Sequence, residues 1–354
     1  VSPGTRPVAA SLCAIDRLVL FDEPHLSTQA VHTILATERL QDRATEHLGL
    51  PRPSTVLLGA TVPSYLTELG AGSIRVDADR ESDEAKERLQ ALRPATVNWV
   101  ARSDSATSSA LAAAARRMVK SGAKRTVVFA NTVGMAQEVY SVLSGNLESF
   151  GSPVPVRLAT SRFRPWDKPR KADLEGPGVV VATQTLEVGV DLSFDALVTE
   201  LCPWSSLLQR FGRFNRYAEF NGDGNFEQRN AVVVAGWDAT HSEPSSRKAS
   251  VSVYGAESLD ACAGLLRDLS GDDGEGTVDL GPAGLKSLVP EEGVLEPEQS
   301  RVGTLTSAML PLMAQTRPTP EADIPVDALI SGPDAEASDD VDLTWRDRLD
   351  VFDL

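Results

Sequence analysis

Short apolar runs and longer amphipathic stretches alternate along the first 240 residues of the chain. The apolar runs, bounded by glycine or charged residues, predict strands, whereas apolar residues three and four positions apart predict helices. The predicted strands lie in RLVLFD, STVLLG, SIRVDA, KRTVVFAN, GVVVA and NAVVVAGW. Strands that are joined by helices form parallel sheets covered on both faces, so the pattern predicts an α/β fold.

The amphipathic stretch at residues 205–216, SSLLQRFGRFNR, is the most distinctive part of the chain. Arginines three residues apart lie on one face of a helix, so Arg210, Arg213 and Arg216 are expected to form a row beside Gln209. The apolar residues between them would bury the opposite face. A row of guanidinium groups suits an anionic partner, and phosphate is the first candidate. An ordinary basic surface helix is the alternative interpretation.

Two carboxylates follow the first predicted strand. The apolar run at residues 18–21 places Asp22 and Glu23 at the carboxyl end of a buried strand, where open α/β sheets bind their ligands. Asp22 is expected to hold Mg²⁺ through water and Glu23 to orient an attacking water, which are the roles of a Walker B motif. A strand that merely ends in a solvated acidic pair is the alternative.

Two further segments are candidates for nucleic-acid contact. Asn131 and Thr132 open a predicted helix whose first backbone amides suit a phosphate, although a plain strand-to-helix turn explains them equally well. Arg162 and Arg164 belong to the loop SRFRPWDKPRK, in which cations alternate with aromatic residues. That composition suits a single strand of nucleic acid, which needs phosphate contacts and stacking surfaces. A solvated loop is the competing interpretation.

The charge distribution decides whether a nucleic-acid partner is reasonable. The 354 residues suffice for two or three domains, and their net charge of −16 would repel a polyanion. However, residues 1–216 contain 25 Lys and Arg against 23 Asp and Glu, a balance of +2, whereas residues 217–354 contain 9 against 27, a balance of −18. The acidic excess therefore belongs to the last third of the chain, and a nucleic-acid partner for the rest is reasonable.

The cysteines and the apolar runs bear on the cellular compartment. Cys13, Cys202 and Cys262 have neither paired nor metal-type spacing, so buried thiols in a reducing cytosol are expected. No apolar run reaches the roughly 18 residues of a membrane-spanning helix. We therefore expect a cytoplasmic location and no membrane partner.

Residues 178–201, GVVVATQTLEVGVDLSFDALVTEL, together with the arginine stretch resemble motifs five and six of superfamily-two helicases. These are nucleic-acid-dependent ATPases built from two RecA-like domains. The resemblance implies ATP and Mg²⁺ as cofactors, and a cleft in which Asp22 and Glu23 face Arg213 and Arg216 over the nucleotide, with the arginines as fingers on the γ-phosphoryl group. It also implies nucleotide binding by His25, Gln209, Gly189 and Asp191, nucleic-acid binding by Thr183 and Gln184, and a coupling role for Gly59, Ala60 and Thr61.

The segment VATQTLEVGVDLSFDALVTELCPWSSLLQRFGRFNR, with DEPHLS and SRFRPWDK, is further similar to the CRISPR-associated helicase/endonuclease of type I interference systems, particularly its type I-U (I-G) branch. The likeness covers about residues 1–240 and, more faintly, the closing DVDLTWRDRL. It implies an ATP-dependent DNA helicase of antiviral defence. Its implied partners are single-stranded DNA, the guide-RNA interference complex that opens the target, and an attached HD nuclease.

The sequence departs from that family in two ways. No G-x-x-x-x-G-K-[ST] sequence occurs, so the loop that cradles the β- and γ-phosphates is missing. The four histidines at residues 25, 32, 47 and 241 include no His-Asp pair, so no HD nuclease is expected in this chain. The chain alone is therefore expected to be inactive. The alternatives are a general superfamily-two RNA or DNA helicase, and a catalytically inactive remnant that binds nucleic acid or protein.

The predicted architecture is α/β, with two RecA-like parallel-sheet domains, the first incomplete, and an acidic, partly disordered C-terminal segment. Residues 1–103 would form the first domain with the Walker B and Gly-Ala-Thr motifs, and residues 104–240 the second. Residues 241–354 would form an accessory region and a linker.

Overall fold

A computed structural model describes residues 18–49, 54–59, 81–100, 103–144, 147–149, 152–164, 166–220, 231–235, 248–270, 277–287 and 329. The chain divides into two compact units. Unit 1 comprises Val1–Gly72 and Glu298–Leu354, and unit 2 comprises Ser73–Pro297. The predicted strand SIRVDA lies outside the described residues.

Unit 1 contains a pair of parallel strands and a long helix. Strand β1 (Leu18–Asp22) pairs with β2 (Ser54–Leu58), and a 3-10 turn at Pro24–Ser27 leads into helix α1 (Thr28–Leu48). Leu18 and Leu20 are 63% and 62% exposed, so β1 is not the buried strand that its apolar sequence predicted. Alternate side chains of a strand point to opposite faces, and no described element covers the face on which these two lie.

The strands of unit 2 form a mostly parallel sheet. After β3 (Pro94–Trp99) and β4 (Arg125–Phe129) comes a small hairpin of β5 (Glu148–Ser149) and β6 (Ser152–Pro153), then β7 (Val156–Ala159), β8 (Gly178–Ala182), β9 (Ala196–Glu200), β10 (Ala231–Ala235) and β11 (Val278–Asp279). Seven of the described strands pair in the order β11-β3-β10-β9-β4-β8-β7, and β11 alone among these seven is antiparallel to its neighbour. The predicted α/β class with a parallel sheet is confirmed.

Helices pack on both faces of this sheet. The described helices of unit 2 are α2 (Asp83–Leu89), α3 (Asp104–Lys120), α4 (Val133–Leu143), α5 (Lys171–Glu175), α6 (Trp204–Phe211), α7 (Lys248–Tyr254), α8 (Ala256–Ser270) and α9 (Pro282–Ser287), and α2 among them buries no residue. Val128 and Val181 pack with residues of α3 and α4, whereas Val127 and Val180 pack with residues of α6 and α8. Consecutive strand residues therefore belong to two separate hydrophobic cores, because their side chains alternate between the faces of the sheet.

Unit 2 includes residues on both sides of the segment 104–240 that was predicted as the second domain. Strand β3 precedes that segment, and its Ala95 pairs with Ala231 of β10. The acidic region beyond residue 240 contributes α7, α8 and β11 to the same unit, and Leu259 and Leu266 of α8 are buried in its core. Apolar residues along one face of α8 explain this packing. The net charge of the region gave no indication of it.

Candidate functional site

Arg210 of α6 lies at the centre of a buried polar cluster at the carboxyl ends of β4, β8 and β9. Its side chain is completely buried, and its Nε donates to Glu187 Oε1 at 2.7 Å. Nη1 donates to Thr199 Oγ1 at 2.8 Å and to the Glu200 carbonyl at 3.1 Å. Nη2 donates to Asn131 Oδ1 at 3.0 Å and to the Tyr254 hydroxyl at 3.1 Å. These contacts satisfy the five donors of a guanidinium group, which is what makes its burial tolerable.

Asn131, which follows β4, ties this cluster to the neighbouring strand ends. Its backbone amide donates to Glu200 Oε2 at 2.8 Å, and its side-chain Nδ2 donates to the Leu201 carbonyl at 2.7 Å. Its carbonyl accepts a bond of 3.0 Å from Gln184 Nε2. Gln184 stands in a 3-10 turn directly after β8. The polar residues that follow three parallel strands are thus bonded to one another, as the shared edge of a parallel sheet allows.

The helix of the arginine stretch is shorter than predicted. It ends at Phe211, and Gly212 begins a turn after which Phe214 forms a bridge with Phe194, the residue two positions before β9. Phe194 donates its amide to the Arg213 carbonyl at 2.9 Å and accepts from the Asn215 amide at 3.0 Å. The expected row of three arginines on one helical face is therefore wrong, because Arg210 points into the core and the chain has left the helix before Arg213.

Arg213 and Arg216 lie beyond that turn in two different environments. Arg213 is 6% exposed, and it donates to the carbonyls of Leu186 at 3.0 Å and Glu187 at 2.7 Å. Arg216 Nε lies 3.0 Å from Asp191 Oδ1, and the Tyr217 hydroxyl also donates to that oxygen. The hydrogen bond from Tyr217, assisted by Arg216, lowers the pKa of Asp191. Gly189 has a φ of 74°, a conformation that favours glycine, and this turn carries the chain from Glu187 to Asp191.

The loop between β7 and α5 presents cations and an aromatic ring to solvent. Trp166 is 66% exposed, and the Arg164 guanidinium lies 5.6 Å from the centre of its ring. Arg164 also pairs with Asp167 at 2.5 Å, and Arg162 is exposed. The loop therefore exposes cations and an aromatic ring side by side, and its contact with a single strand of nucleic acid stays a prediction.

The carboxylates of unit 1 lie near Gly59, the first residue of the tripeptide that was predicted to have a coupling role. Asp22 ends β1 opposite Leu58 of β2, and the Glu23 amide donates to the Leu58 carbonyl at 2.8 Å. Glu23 has a φ of 51°, so the chain turns sharply after the strand. Gly59 directly follows β2, whereas Ala60, Thr61 and the side chain of His25 lie outside the described residues. Asp22, Glu23 and Gly59 are thus brought together at one strand edge.

Comparison with known proteins connects this cluster to one family. The profile of the family described as "CRISPR-associated nuclease/helicase Cas3, C-terminal" matches residues 122–219, which contain Asn131, Gln184, Glu187 and the arginines. Residues 122–219, called the Cas3-type segment below, are thus similar to the C-terminal part of that family. This chain is 35% identical over 81 residues to the CRISPR-associated nuclease/helicase Cas3 of Haloferax volcanii, a match that covers 21% of this chain and 9% of that protein.

A second relative and a solved structure are also Cas3 proteins. The putative CRISPR-associated nuclease/helicase Cas3 of Methanocaldococcus jannaschii is 34% identical over 108 residues, which cover 27% of this chain and 14% of that protein. The crystal structure of T. fusca Cas3 superimposes with a TM-score of 0.57 and 20% identity, over 79% of this chain and 36% of that one. The likeness to the solved structure shows a shared fold, and this chain spans only a small part of the relatives it matches.

The predicted site residues within the Cas3-type segment have diverse environments. Asn131 and Thr183 are 1% and 3% exposed, and Gln184 is half-buried with its Nε2 bonded inside the protein. Thr132 caps α4, since its Oγ1 accepts from the Met135 amide at 3.2 Å. Gln209 is half-buried on α6. The roles of all these residues toward nucleotide or nucleic acid stay predictions.

Sequence reasoning missed several residues of the cluster. Glu200 ends the apolar strand β9 in the way that Asp22 ends β1, so a carboxylate after an apolar run was a signal that was present. Ser250 and Tyr254 reach the cluster from α7, and nothing in their local sequence indicates this. Cys202 is also buried here, and burial raises the pKa of its thiol to about 12, as suits an unreactive core residue.

The residues of the chain fit one part of a nucleotide site. Mg²⁺ in such sites is held by one or two carboxylates plus phosphate oxygens, and Asp22 at an exposed strand end fits that role. Arg213 and Arg216 carry the charge that suits phosphates, although Arg213 is buried against the carbonyls of Leu186 and Glu187. The sequence holds no phosphate-cradling loop. Asp22 lies in unit 1 and Arg213 in unit 2, so the cleft expected between them stays a prediction. Within the part of the chain that the structure describes, no helix is both long and apolar enough to cross a membrane.

Proposed function

We propose that this chain supplies motor elements of an ATP-dependent superfamily-two DNA helicase of CRISPR antiviral defence, which translocates on single-stranded DNA in the cytoplasm and acts with a guide-RNA interference complex. The type I-U (I-G) branch is part of the proposal. The HD nuclease would be supplied outside this chain, since the sequence carries no such site. The observation that carries the proposal is the buried cluster around Arg210, most of whose residues lie inside the Cas3-type segment.

The cluster supports a motor function because its hydrogen bonds join the residues predicted to contact nucleic acid to those predicted to contact phosphate. Asn131, Thr132, Thr183 and Gln184 are the proposed nucleic-acid side, and Arg213 with Arg216 the proposed phosphate side. Glu187 connects the two, since its carboxylate binds Arg210 and its carbonyl binds Arg213. Any shift of the loop at residues 184–191 must therefore move both sides, and such a link is what a nucleic-acid-dependent ATPase requires.

On the nucleotide side, Asp22 would hold Mg²⁺, and His25, Gln209, Gly189 and Asp191 would line the nucleotide. When bound, ATP supplies the phosphoryl group whose transfer drives translocation. Glu23 would orient the attacking water, while Arg213 and Arg216 would stabilise negative charge on the γ-phosphate. Gly59, Ala60 and Thr61 would couple that edge of unit 1 to strand movement.

The first test measures binding of a fluorescently labelled single-stranded DNA by anisotropy at low salt. Stacking of a base on an aromatic side chain contributes about 1–3 kcal/mol, so Trp166→Ala should weaken binding about fivefold or more. Arg164→Ala should weaken it and reduce its salt dependence. Lys120→Ala is the matched control, because it removes an exposed cation at the end of α3. If both loop variants bind like the control, the loop is not the interface.

The second test measures DNA-stimulated ATP hydrolysis by a chain extended with whatever its reading frame encodes upstream of Val1. A Gly-Lys-Thr/Ser loop there would complete the phosphate site. Arg213→Ala should then lower kcat at least about a hundredfold with nucleotide affinity changed less, and Arg213→Lys should rescue poorly. Glu23→Gln should stop hydrolysis while ATP and DNA stay bound. A variant Arg213→Ala with near-normal kcat and lost DNA binding would place the arginines on nucleic acid instead.

An inactive remnant that binds nucleic acid is the second candidate, and the missing phosphate loop favours it. The extended chain distinguishes the two, because a remnant would bind single-stranded DNA without hydrolysing ATP. A general superfamily-two RNA helicase would be indicated by equal stimulation of hydrolysis by RNA.

A further inference from the structure

Helix α7 lies outside residues 122–219, yet two of its side chains complete the cluster around Arg210. Ser250 is 4% exposed, and its Oγ donates to Glu200 Oε1 at 2.8 Å. The Tyr254 hydroxyl accepts from Gln184 Nε2 at 2.8 Å and from Arg210 Nη2 at 3.1 Å. Both lone pairs of that hydroxyl are therefore used, one on the proposed nucleic-acid side and one on the arginine of α6.

The bonds to Gln184 determine which way its amide points. The Asn131 carbonyl can only accept a hydrogen bond, so the NH₂ end of the Gln184 amide must face it, and Tyr254 takes the second hydrogen of the same NH₂. Among the described residues, none donates to Gln184 Oε1. That oxygen is thus the end of the amide left to accept a bond from a ligand.

We propose that Tyr254 and Ser250 are positioning residues that fix Gln184 for contact with single-stranded DNA, Tyr254 directly and Ser250 through Glu200 and Asn131, whose carbonyl holds the same amide. Tyr254 presents the Gln184 amide with its oxygen outward, toward an N–H donor of a nucleotide base. Ser250 holds Glu200, whose second oxygen fixes the Asn131 backbone amide at the start of the turn before α4. The inference rests on the proposed function for the ligand, but the positioning itself is independent of it.

The test compares Tyr254→Phe with the wild-type chain in binding to a labelled oligothymidylate at low salt. Phenylalanine keeps the ring but removes both acceptor lone pairs, so affinity should fall about threefold to tenfold, the effect of about one hydrogen bond. Tyr140→Phe is the matched control, because Tyr140 packs against the core on the α3 and α4 face of the sheet. It should bind within about twofold of wild type. Ser250→Ala should weaken binding in the same direction as Tyr254→Phe.

A double-mutant cycle separates positioning from general stability. If Tyr254 acts through Gln184, then Tyr254→Phe should cause no further loss in a Gln184→Ala background, whereas its effect should add to that of Arg164→Ala. A merely structural role would weaken binding equally in both backgrounds. Wild-type affinity in Tyr254→Phe, or a full additional loss in the Gln184→Ala background, would overturn the inference while leaving the proposed function intact.

Hydrogen exchange of the amides at residues 183–187 tests the positioning without DNA. Exchange there should accelerate in Tyr254→Phe, because that substitution removes the hydroxyl that holds the Gln184 amide. It should not accelerate in Tyr140→Phe. Unchanged exchange would overturn the inference even if the wild-type chain failed to bind DNA. Failure of the wild type to bind together with accelerated exchange would overturn the proposed ligand and support the positioning.

Discussion

Arg210 and Glu187 form an ion pair whose side chains are 0% and 8% exposed, with Arg210 Nε 2.7 Å from Glu187 Oε1. Arg210→Ala leaves that carboxylate buried without its partner, and breaking a buried pair in this way costs about 3–5 kcal/mol. We expect a loss of this size in the free energy of unfolding measured with urea. Arg162→Ala, at an exposed position, should change it by less than about 0.5 kcal/mol.

Arg210→Lys should lower the free energy of unfolding less than Arg210→Ala does. An ammonium group keeps the charge but has three donors for the acceptors that Arg210 meets with five, so the loss should lie between those of the alanine variant and wild type. A loss below about 1 kcal/mol for Arg210→Ala would show that the cluster does not hold the strand ends together.

The buried hydroxyl of Tyr254 predicts a pH dependence. Burial raises the pKa of Tyr254 to about 12, although Arg210 opposes the shift. Because the folded state holds this proton more tightly than the unfolded state, the stabilisation is complete below pH ~10 and is lost as the pH rises toward ~12. Wild type should therefore lose up to about 2–3 kcal/mol more stability over that interval than Tyr254→Phe. Parallel curves for the two proteins would contradict the prediction, and absorbance at the tyrosinate band would report the missing titration step.

Helix α8 should contribute to the stability of unit 2 although it lies in the acidic part of the chain. Leu266 is 1% exposed, and truncating a buried leucine to alanine costs about 2–5 kcal/mol. Leu266→Ala should therefore lower the free energy of unfolding by that amount, whereas Leu92→Ala, at a position 49% exposed, should change it little. Equal effects of the two substitutions in urea unfolding would show that α8 is not part of the core.

The chain without upstream residues should not turn over ATP. Asp22 and Arg213 cannot by themselves hold a triphosphate when the loop that cradles the β- and γ-phosphates is absent from the sequence. Phosphate release in the presence of single-stranded DNA should stay at background. DNA-stimulated release well above it would mean that another part of the chain holds the phosphates.

The sequence predicted the centre of the parallel sheet because β4, β8 and β10 are apolar runs, and these strands lie where the runs were. It failed where contacts join distant residues. The spacing of Arg210, Arg213 and Arg216 indicated one helical row, but the bridge between Phe194 and Phe214 pulls the chain out of the helix after Phe211. Tertiary pairing of this kind overrides local periodicity and has no signal in a single sequence.

Only part of the polar cluster around Arg210 could be predicted from the sequence. Motif resemblance selected Gln184 and the arginines, and the start of a predicted helix selected Asn131 as a nucleic-acid contact. The sequence did not predict that the Asn131 side chain bonds Arg210 and the Leu201 carbonyl. The place of Tyr254 in the cluster could not be predicted, because a tyrosine on an amphipathic helix can lie on the surface or in the core. Only the fold brings it to Gln184.

The position of β3 has a consequence for how the protein is synthesised. The neighbours of β3 in the sheet are β10 and β11, which the ribosome produces much later, since Ala95 pairs with Ala231 and with Val278. Strands β4, β7 and β8 can pair soon after they emerge, but one edge of β3 stays open until residue 235 is made and the other until residue 279 is made. Closing such long loops is slow, and open strand edges attract other chains. Nascent unit 2 should therefore depend on chaperone protection of β3 during the whole interval.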